Sequence, residues 1–234
     1  EEVDYFFDLV KYIFPDIKVD RSQIVFRYSG VRPLPKSDDL LPGFVSRDYR
    51  IVKTSDEADT PWLSLVGGKW TTFRALGEHM SSEALKILGM KRTVSTTDMA
   101  IGGGKDFPIS ETSQLEWAEG HGGELATERS LQLLNRYGTL ASEVIEFIRS
   151  ANQDEQLIHS PEYSEAEIQF LVDREHVVHL SDIVHRRTSL AFTGKVNREM
   201  LVELAEIAGA RLGWSSDQKT QEVRGIQLGG GGSV

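Results

Sequence analysis

The stretch Leu63-Ser64-Leu65-Val66-Gly67-Gly68-Lys69-Trp70-Thr71-Thr72-Phe73-Arg74 limits the fold of this chain more than any other. Trp62 to Val66 reads as a buried strand. Two glycines then give the backbone a tight turn, and the pattern from about Thr71 to Leu88 reads as a helix closed by Gly89. A helix N-terminus carries roughly half a positive charge, so Lys69 stands where a helix favours an acid. An anion, or a group that becomes one, would relieve that cost. A lysine that lays its stem on apolar surface and leaves its ammonium in water would avoid it.

The surroundings are mixed in character. Val3, Phe6, Phe7, Val10, Ile13 and Phe14 recur at helical spacing and predict an amphipathic helix over Glu1 to Phe14, ended by Pro15. Gln23 to Tyr28 alternates as a strand would, with Ile24, Phe26 and Tyr28 on one face. The two prolines of Gly30-Val31-Arg32-Pro33-Leu34-Pro35 keep the next segment extended. Tyr49 to Val52 predicts a short strand, and an acidic loop from Ser55 to Thr60 leads into the strand at Trp62. After Gly89 the pattern changes. Lys91 to Ile109, with Gly102-Gly103-Gly104, reads as a domain boundary with some extended structure.

From Ser110 onward the pattern is helical. Glu124 to Tyr137 and Leu140 to Arg149 form a pair broken at Gly138-Thr139. Ser164 to Glu167 reads as a capping box opening a helix to about Glu175, Asn197 as the cap of a helix running to Leu212, and Ser215 to Gln218 as a further capping box. The expected fold class is α+β: a partial α/β segment followed by an all-α helical bundle. The expected domains are 1–90, 91–228 and a flexible glycine-rich tail at 229–234.

Composition narrows the function classes. The net charge of −10 argues against a general grip on nucleic acid, which needs a concentrated basic face. Cysteine is absent, removing disulfide, thiolate and zinc-ribbon chemistry. No apolar run approaches the ~18 residues that span a bilayer. His176, His179 and His185 with Glu175 lack the i, i+4 histidine pair of zinc hydrolases and lie among Val177, Val178 and Leu180, so they are expected to be structural, and no metal is assigned. Arg186 and Asp182 are expected to form a helix-surface ion pair. The chain begins at Glu1 without methionine, and a fragment or processed chain is expected.

Two constellations bear chemistry. Gly67 and Gly68 allow a ligand close to the backbone, and the helix start offers N–H groups, with the hydroxyls of Thr71 and Thr72 nearby. A reduced flavin is anionic at its pyrimidine edge, and such a turn would stabilise it. Arg32 and Arg47 lie at neighbouring strand ends and suit a phosphate monoester, which calls for more than one cationic fork; salt bridges, Arg47 with Asp48 or with the Asp38-Asp39 pair, are the plainer reading.

Gly30-Val31-Arg32-Pro33-Leu34, Ser46-Arg47-Asp48 and Gly67-Gly68-Lys69-Trp70-Thr71-Thr72-Phe73-Arg74, in this order, resemble the C-terminal half of the FAD-dependent glycerol-3-phosphate dehydrogenases. Asp182-Ile183-Val184-His185-Arg186-Arg187-Thr188 resembles part of that family's helical C-terminal domain. Phe73 departs from the resemblance where tyrosine is expected, and Arg27-Tyr28-Ser29 replaces a more apolar approach to the Gly-Val-Arg string. The resemblance implies substrate binding by Arg32, Arg47 and Lys69, a catalytic place for Lys69, and flavin contact by Gly67, Gly68, Lys69, Trp70, Thr71 and Thr72. It also implies oxidation of glycerol 3-phosphate to dihydroxyacetone phosphate with FAD, and passage of electrons to a quinone. The implied location is cytoplasmic, peripheral on the inner face of the cell membrane; a homo-oligomer is compatible with it. The family's mitochondrial members carry calcium-binding loops near the C-terminus, and their absence here implies a bacterial-type protein.

No Gly-x-Gly-x-x-Gly string occurs: Gly120-His121-Gly122-Gly123 has Leu125 where the third glycine belongs. The expectation is that this chain supplies one wall of a flavin site and that an N-terminal FAD domain seats the pyrophosphate. Rival readings are a non-catalytic interaction or oligomerisation module, and a fragment of a related FAD-dependent amine or amino-acid oxidase.

Overall fold

The computed structural model describes residues 2–30, 48–151 and 154–226. It is α+β: mostly helical, with one two-stranded antiparallel sheet. The chain forms two compact units, one of Gly30–Ile101 and one of Glu1–Ser29 with Gly102–Val234. The first residues of the chain thus group with the later helices, and the second crossing falls between Ile101 and Gly102.

In the smaller unit, β1 (Arg50–Ser55) pairs with β2 (Pro61–Val66), Arg50 opposite Val66 and Ser55 opposite Pro61. The acidic loop between them is a structural hairpin. The Asp56 carboxylate accepts from the Ala58 and Thr60 backbone N–H groups at 3.0 and 2.8 Å, and Asp59 takes a left-handed φ of 57°. A lone hairpin is marginal in water. This one is tied to α2 (Phe73–Ile87): the buried Glu83 of α2 pairs with Lys53 of β1 and, within its own helix, with Lys86 at 2.5 Å.

Gly89 ends α2 with φ +66°, donating to the Lys86 carbonyl, while Met90 donates to that of Leu85 at 2.8 Å. The following segment folds back on the helix. Arg92 donates to the Glu78 carbonyl and to the Ser82 hydroxyl, and Arg74 donates to the Thr96 carbonyl and, at 2.8 Å, to that of Met99.

The larger unit begins with α1 (Glu2–Ile13), none of whose residues is buried. Residues 23–28 form no strand among the described residues, contrary to their alternation. Asp20 caps a 3-10 turn at Arg21–Gln23, and the extended residues after it lie on helices instead of a strand partner, Phe26 packing against the helical core. The alternation is real in burial, since Ile24 and Phe26 are half-buried between exposed neighbours; its cause is a helical surface.

The remaining helices are α3 (Glu111–His121), α4 (Thr127–Tyr137), α5 (Ala141–Ser150), α6 (Glu165–Arg174), α7 (Leu180–Asp182) continued by a π turn at Ile183–Arg187, α8 (Arg198–Leu212) and α9 (Ser216–Gly225). Ser110, Ser164, Asn197 and Ser215 each accept a backbone N–H at a helix start. The apolar stripes of α4, α5, α6 and α8 close on one core, with Leu133, Ile145, Leu171 and Leu204 fully buried. Gly103 and Gly138 fasten the entry to the bundle: a Cβ on Gly103 would stand 1.9 Å from the Tyr137 carbonyl oxygen, and the Thr139 hydroxyl donates to the carbonyls of Gly103 and Lys105.

The expected capping box at Ser164 is only half present. Ser164 accepts the Glu167 N–H at 3.2 Å, but the Glu167 carboxylate turns inward to arginines. Buried cations outcompete a backbone N–H for a carboxylate that the helix has carried into the core.

Candidate functional site

The turn at Gly67–Thr72 is built by close packing. Gly67 has φ +79° and Gly68 φ +115°; a Cβ on Gly67 would meet the Asp48 carbonyl oxygen at 2.9 Å, and one on Gly68 would meet Leu76 Cδ1 at 3.0 Å. Both positions therefore require glycine for conformation and for space. Lys69, extended at φ −125° and ψ 144°, is the N-cap of a 3-10 turn at Trp70–Thr72 that runs on into α2, and it makes no side-chain capping bond. The expected helix start near Thr71 is thus a 3-10 turn, with the α-helix proper beginning at Phe73.

Thr72 uses its hydroxyl locally, donating to the Lys69 carbonyl at 3.2 Å. The N–H groups of Trp70 and Thr71 precede any acceptor inside the turn. Residues 67–72 are all exposed, with Trp70 91% exposed. The turn is an outward-facing element: a cation, N–H groups without helical acceptors and an indole, held by wedged glycines. Such a donor set fits the anionic edge of a planar ring or a phosphate oxygen.

Arg32 and Arg47 lie outside the described residues. Two neighbours of the turn make contacts that the linear pattern does not show. Tyr49 lies against Gly68, and its hydroxyl is 3.0 Å from His79 Nδ1. Arg74 pins the segment after α2, as described above. Arg74 closes the Gly67–Arg74 string that the sequence singles out, but nothing in the string marks its partners at Thr96 and Met99.

Elsewhere the polar side chains serve the fold. Arg129 of α4 donates to Asp154 at 2.9 Å, to Ser164 at 3.0 Å and to Glu167 at 2.8 Å. Burial opposes the charge on Arg129, but the Asp154 and Glu167 carboxylates outweigh it and raise its pKa. His176 takes φ 54° just past α6, so it shares no helix face with His179. His179 caps α7 and pairs with Glu222 of α9 at 2.9 Å, while Asp182 pairs with Arg186 at 3.0 Å, the latter as its spacing predicts. Among the described residues no group of three or more acidic or histidine side chains is placed to hold a metal ion.

Comparison with known proteins gives this architecture its relatives. Residues 94–219 match the model for the C-terminal domain of alpha-glycerophosphate oxidase. A glycerol-3-phosphate dehydrogenase of Synechocystis sp. is 29% identical over 96% of this chain and 40% of its own length. The mitochondrial glycerol-3-phosphate dehydrogenase of Homo sapiens is 30% identical over 95% of this chain and 31% of its own length. The chain thus spans well under half of these relatives. Among solved structures, the glycerol-3-phosphate dehydrogenase of Bacillus halodurans complexed with FAD superposes with a TM-score of 0.69 at 19% identity, over 95% of this chain and 42% of that one. With more than half of its residues matched by the family model, this chain belongs to the family of the C-terminal domain of alpha-glycerophosphate oxidase.

Proposed function

We propose that this chain is the C-terminal portion of an enzyme that oxidises sn-glycerol 3-phosphate to dihydroxyacetone phosphate, with residues 1–90 completing the FAD- and substrate-binding domain and residues 91–228 forming the helical domain. The observation that carries the reading is the wedged Gly67-Gly68 turn, which holds Lys69 and two N–H groups outward at the start of α2 in a chain of this family.

Bound FAD supplies the hydride acceptor. The backbone of Gly67, Gly68, Trp70, Thr71 and Thr72 would hold the flavin ring, and the Lys69 ammonium would bind substrate and supply positive potential beside the ring. Arg32 and Arg47 present paired forks to the substrate phosphate and so orient the secondary alcohol. The alcohol proton leaves to a base contributed by the rest of the enzyme. A quinone would be the electron acceptor, and the enzyme would lie peripherally on the inner face of the cell membrane. Among the described residues no helix is long and apolar enough to cross one.

The test is Arg32→Ala in the complete enzyme. Loss of one cation from the clamp lowers kcat/KM by roughly 2–5 kcal/mol. An efficiency equal to that of the parent removes Arg32 from the clamp.

A further inference from the structure

Tyr49 stands where the hairpin hands the chain over to the Gly67–Thr72 turn. Arg50, the first residue of β1, lies opposite Val66, so Tyr49 and Gly67 are the next positions beyond that pair. Alternation puts the Tyr49 side chain on the face of Ile51 and Lys53, which meets α2 through the Lys53–Glu83 pair. A Cβ on Gly67 would lie 3.7 Å from Tyr49 Cα; one on Gly68 would lie 3.6 Å from Tyr49 Cβ and 3.0 Å from Leu76 Cδ1. Gly68 is thus held between Tyr49 and a side chain of α2.

The Tyr49 ring meets the His79 ring edge-on, at 5.7 Å between centroids and 67° between planes, with its hydroxyl 3.0 Å from Nδ1. His79 follows Leu76 by three residues and shares its side of α2. The other ring nitrogen, Nε2, lies 3.9 Å from the buried Glu83 carboxylate. That charge favours a proton on Nε2, which leaves Nδ1 to accept the Tyr49 O–H. Lys53 already ties the middle of the hairpin to α2, so the Tyr49–His79 bond acts at the open end. There two glycines with positive φ leave the backbone most freedom, and residues 67–72 are all exposed.

We propose that Tyr49 is a positioning residue for the flavin wall: bonded to His79, it fixes the Gly67–Gly68 turn on α2 and so sets where Lys69 and the Trp70 and Thr71 N–H groups stand. That role rests on the reading of the turn as part of the flavin site. A charge stabilises a bound group most when its place is fixed in advance, so a turn free to shift would keep the Lys69 charge and lose part of its effect.

The test is Tyr49→Phe in the complete FAD-loaded enzyme, which keeps the ring and deletes the hydroxyl. The preference for reduced over oxidised FAD should fall about tenfold, the reach of one hydrogen bond, which lowers the two-electron potential by about 30 mV. A similar factor should be lost from kcat/KM for glycerol 3-phosphate, with FAD content unchanged. His79→Ala removes the same bond from the other side and should match it, and the double variant should be no worse than either. In a Lys69→Met background Tyr49→Phe should alter that preference by less than about twofold, because the charge it positions is gone. Asp56→Ala loosens the loop at the far end of the hairpin, about 20 Å along the strands, and should leave the potential at the parental value.

A parental potential in Tyr49→Phe beside a lowered one in Lys69→Met overturns the positioning role and leaves the reading of the turn standing. A parental potential in Lys69→Met overturns that reading, and the positioning role with it. A loss that His79→Ala does not share, that persists in the Lys69→Met background, or that Asp56→Ala reproduces marks general loosening of the hairpin and also overturns the proposal.

Discussion

Arg129 Nη2 lies 2.8 Å from the fully buried carboxylate of Glu167, joining α4 to α6 through the middle of the helical unit. Arg136 reaches both oxygens of the same carboxylate at 2.8 and 2.9 Å, and the Tyr137 hydroxyl donates to it at 2.8 Å. Burial, then the Glu167 charge, raises the Tyr137 pKa, so that hydroxyl stays a donor. The Arg136 guanidinium also lies 3.8 Å above the Tyr163 ring.

Removing Glu167 takes from Arg129 and Arg136 the buried carboxylate they share, and leaves Arg129 with Asp154 alone as its acidic partner. Glu167→Leu should destabilise the protein by about 3–5 kcal/mol, the cost of stranding a buried charge. Urea unfolding followed by circular dichroism measures it. A loss below about 1 kcal/mol, the scale of a surface pair, would mean that water reaches the cluster.

Gly103 and Gly104 separate space from backbone freedom. A Cβ on Gly103 runs into the Tyr137 carbonyl, whereas one on Gly104 meets nothing within 4 Å. Gly103→Ala should lower Tm by many degrees while Gly104→Ala stays near the parent, since overpacking against backbone has no easy relief. Equal Tm values would show that the loop does not dock on the α4–α5 junction.

Two histidines give opposite pH signatures. The Glu222 hydrogen bond and charge raise the His179 pKa, so its contribution is complete below about 6.5 and is lost as pH rises through the raised value. Burial, then Arg186, lowers the His185 pKa. Below about 6.5 the unfolded chain takes up that proton and the folded chain does not, so stability falls with pH until the lowered value is passed. Tm measured from pH 5 to 8 should decline less on the alkaline side in His179→Gln and less on the acid side in His185→Phe. Profiles parallel to the parent's would contradict both assignments.

More acidic still, Glu83 is held down to about 2, first by hydrogen bonds from Lys53 and Lys86. Its contribution persists above about 4.5 and disappears as pH falls through about 2. In Glu83→Gln the decline of Tm over that interval should flatten; an unaltered decline would show that the β1–α2 tie is not ionic.

Lys69→Met keeps the stem and deletes the charge. In the complete enzyme kcat/KM should fall by about 10²–10³, the scale of losing one preorganised electrostatic contact, with FAD content maintained. Parental kcat/KM would take Lys69 off the reacting side of the turn.

The linear sequence determined the elements whose causes are local. Gly89 ends α2, Ser110, Asn197 and Ser215 begin their helices, and the strand before Gly67 stops at a left-handed pair, because caps and positive φ depend on a few adjacent residues. The Gly-Gly-Lys string also made the family legible. Tertiary structure alone decided where side chains with several options went. The alternation at Ile24 to Tyr28 looks the same whether its apolar face meets a strand or a helix, and only the stack of Phe26 on His185 of the π turn and the crossing of Val25 over Gly194 fix the answer. Glu167 had a local partner in its own helix start and took two arginines from α4 instead, because in a core that excludes water a carboxylate is stabilised most by the cations folding brings to it.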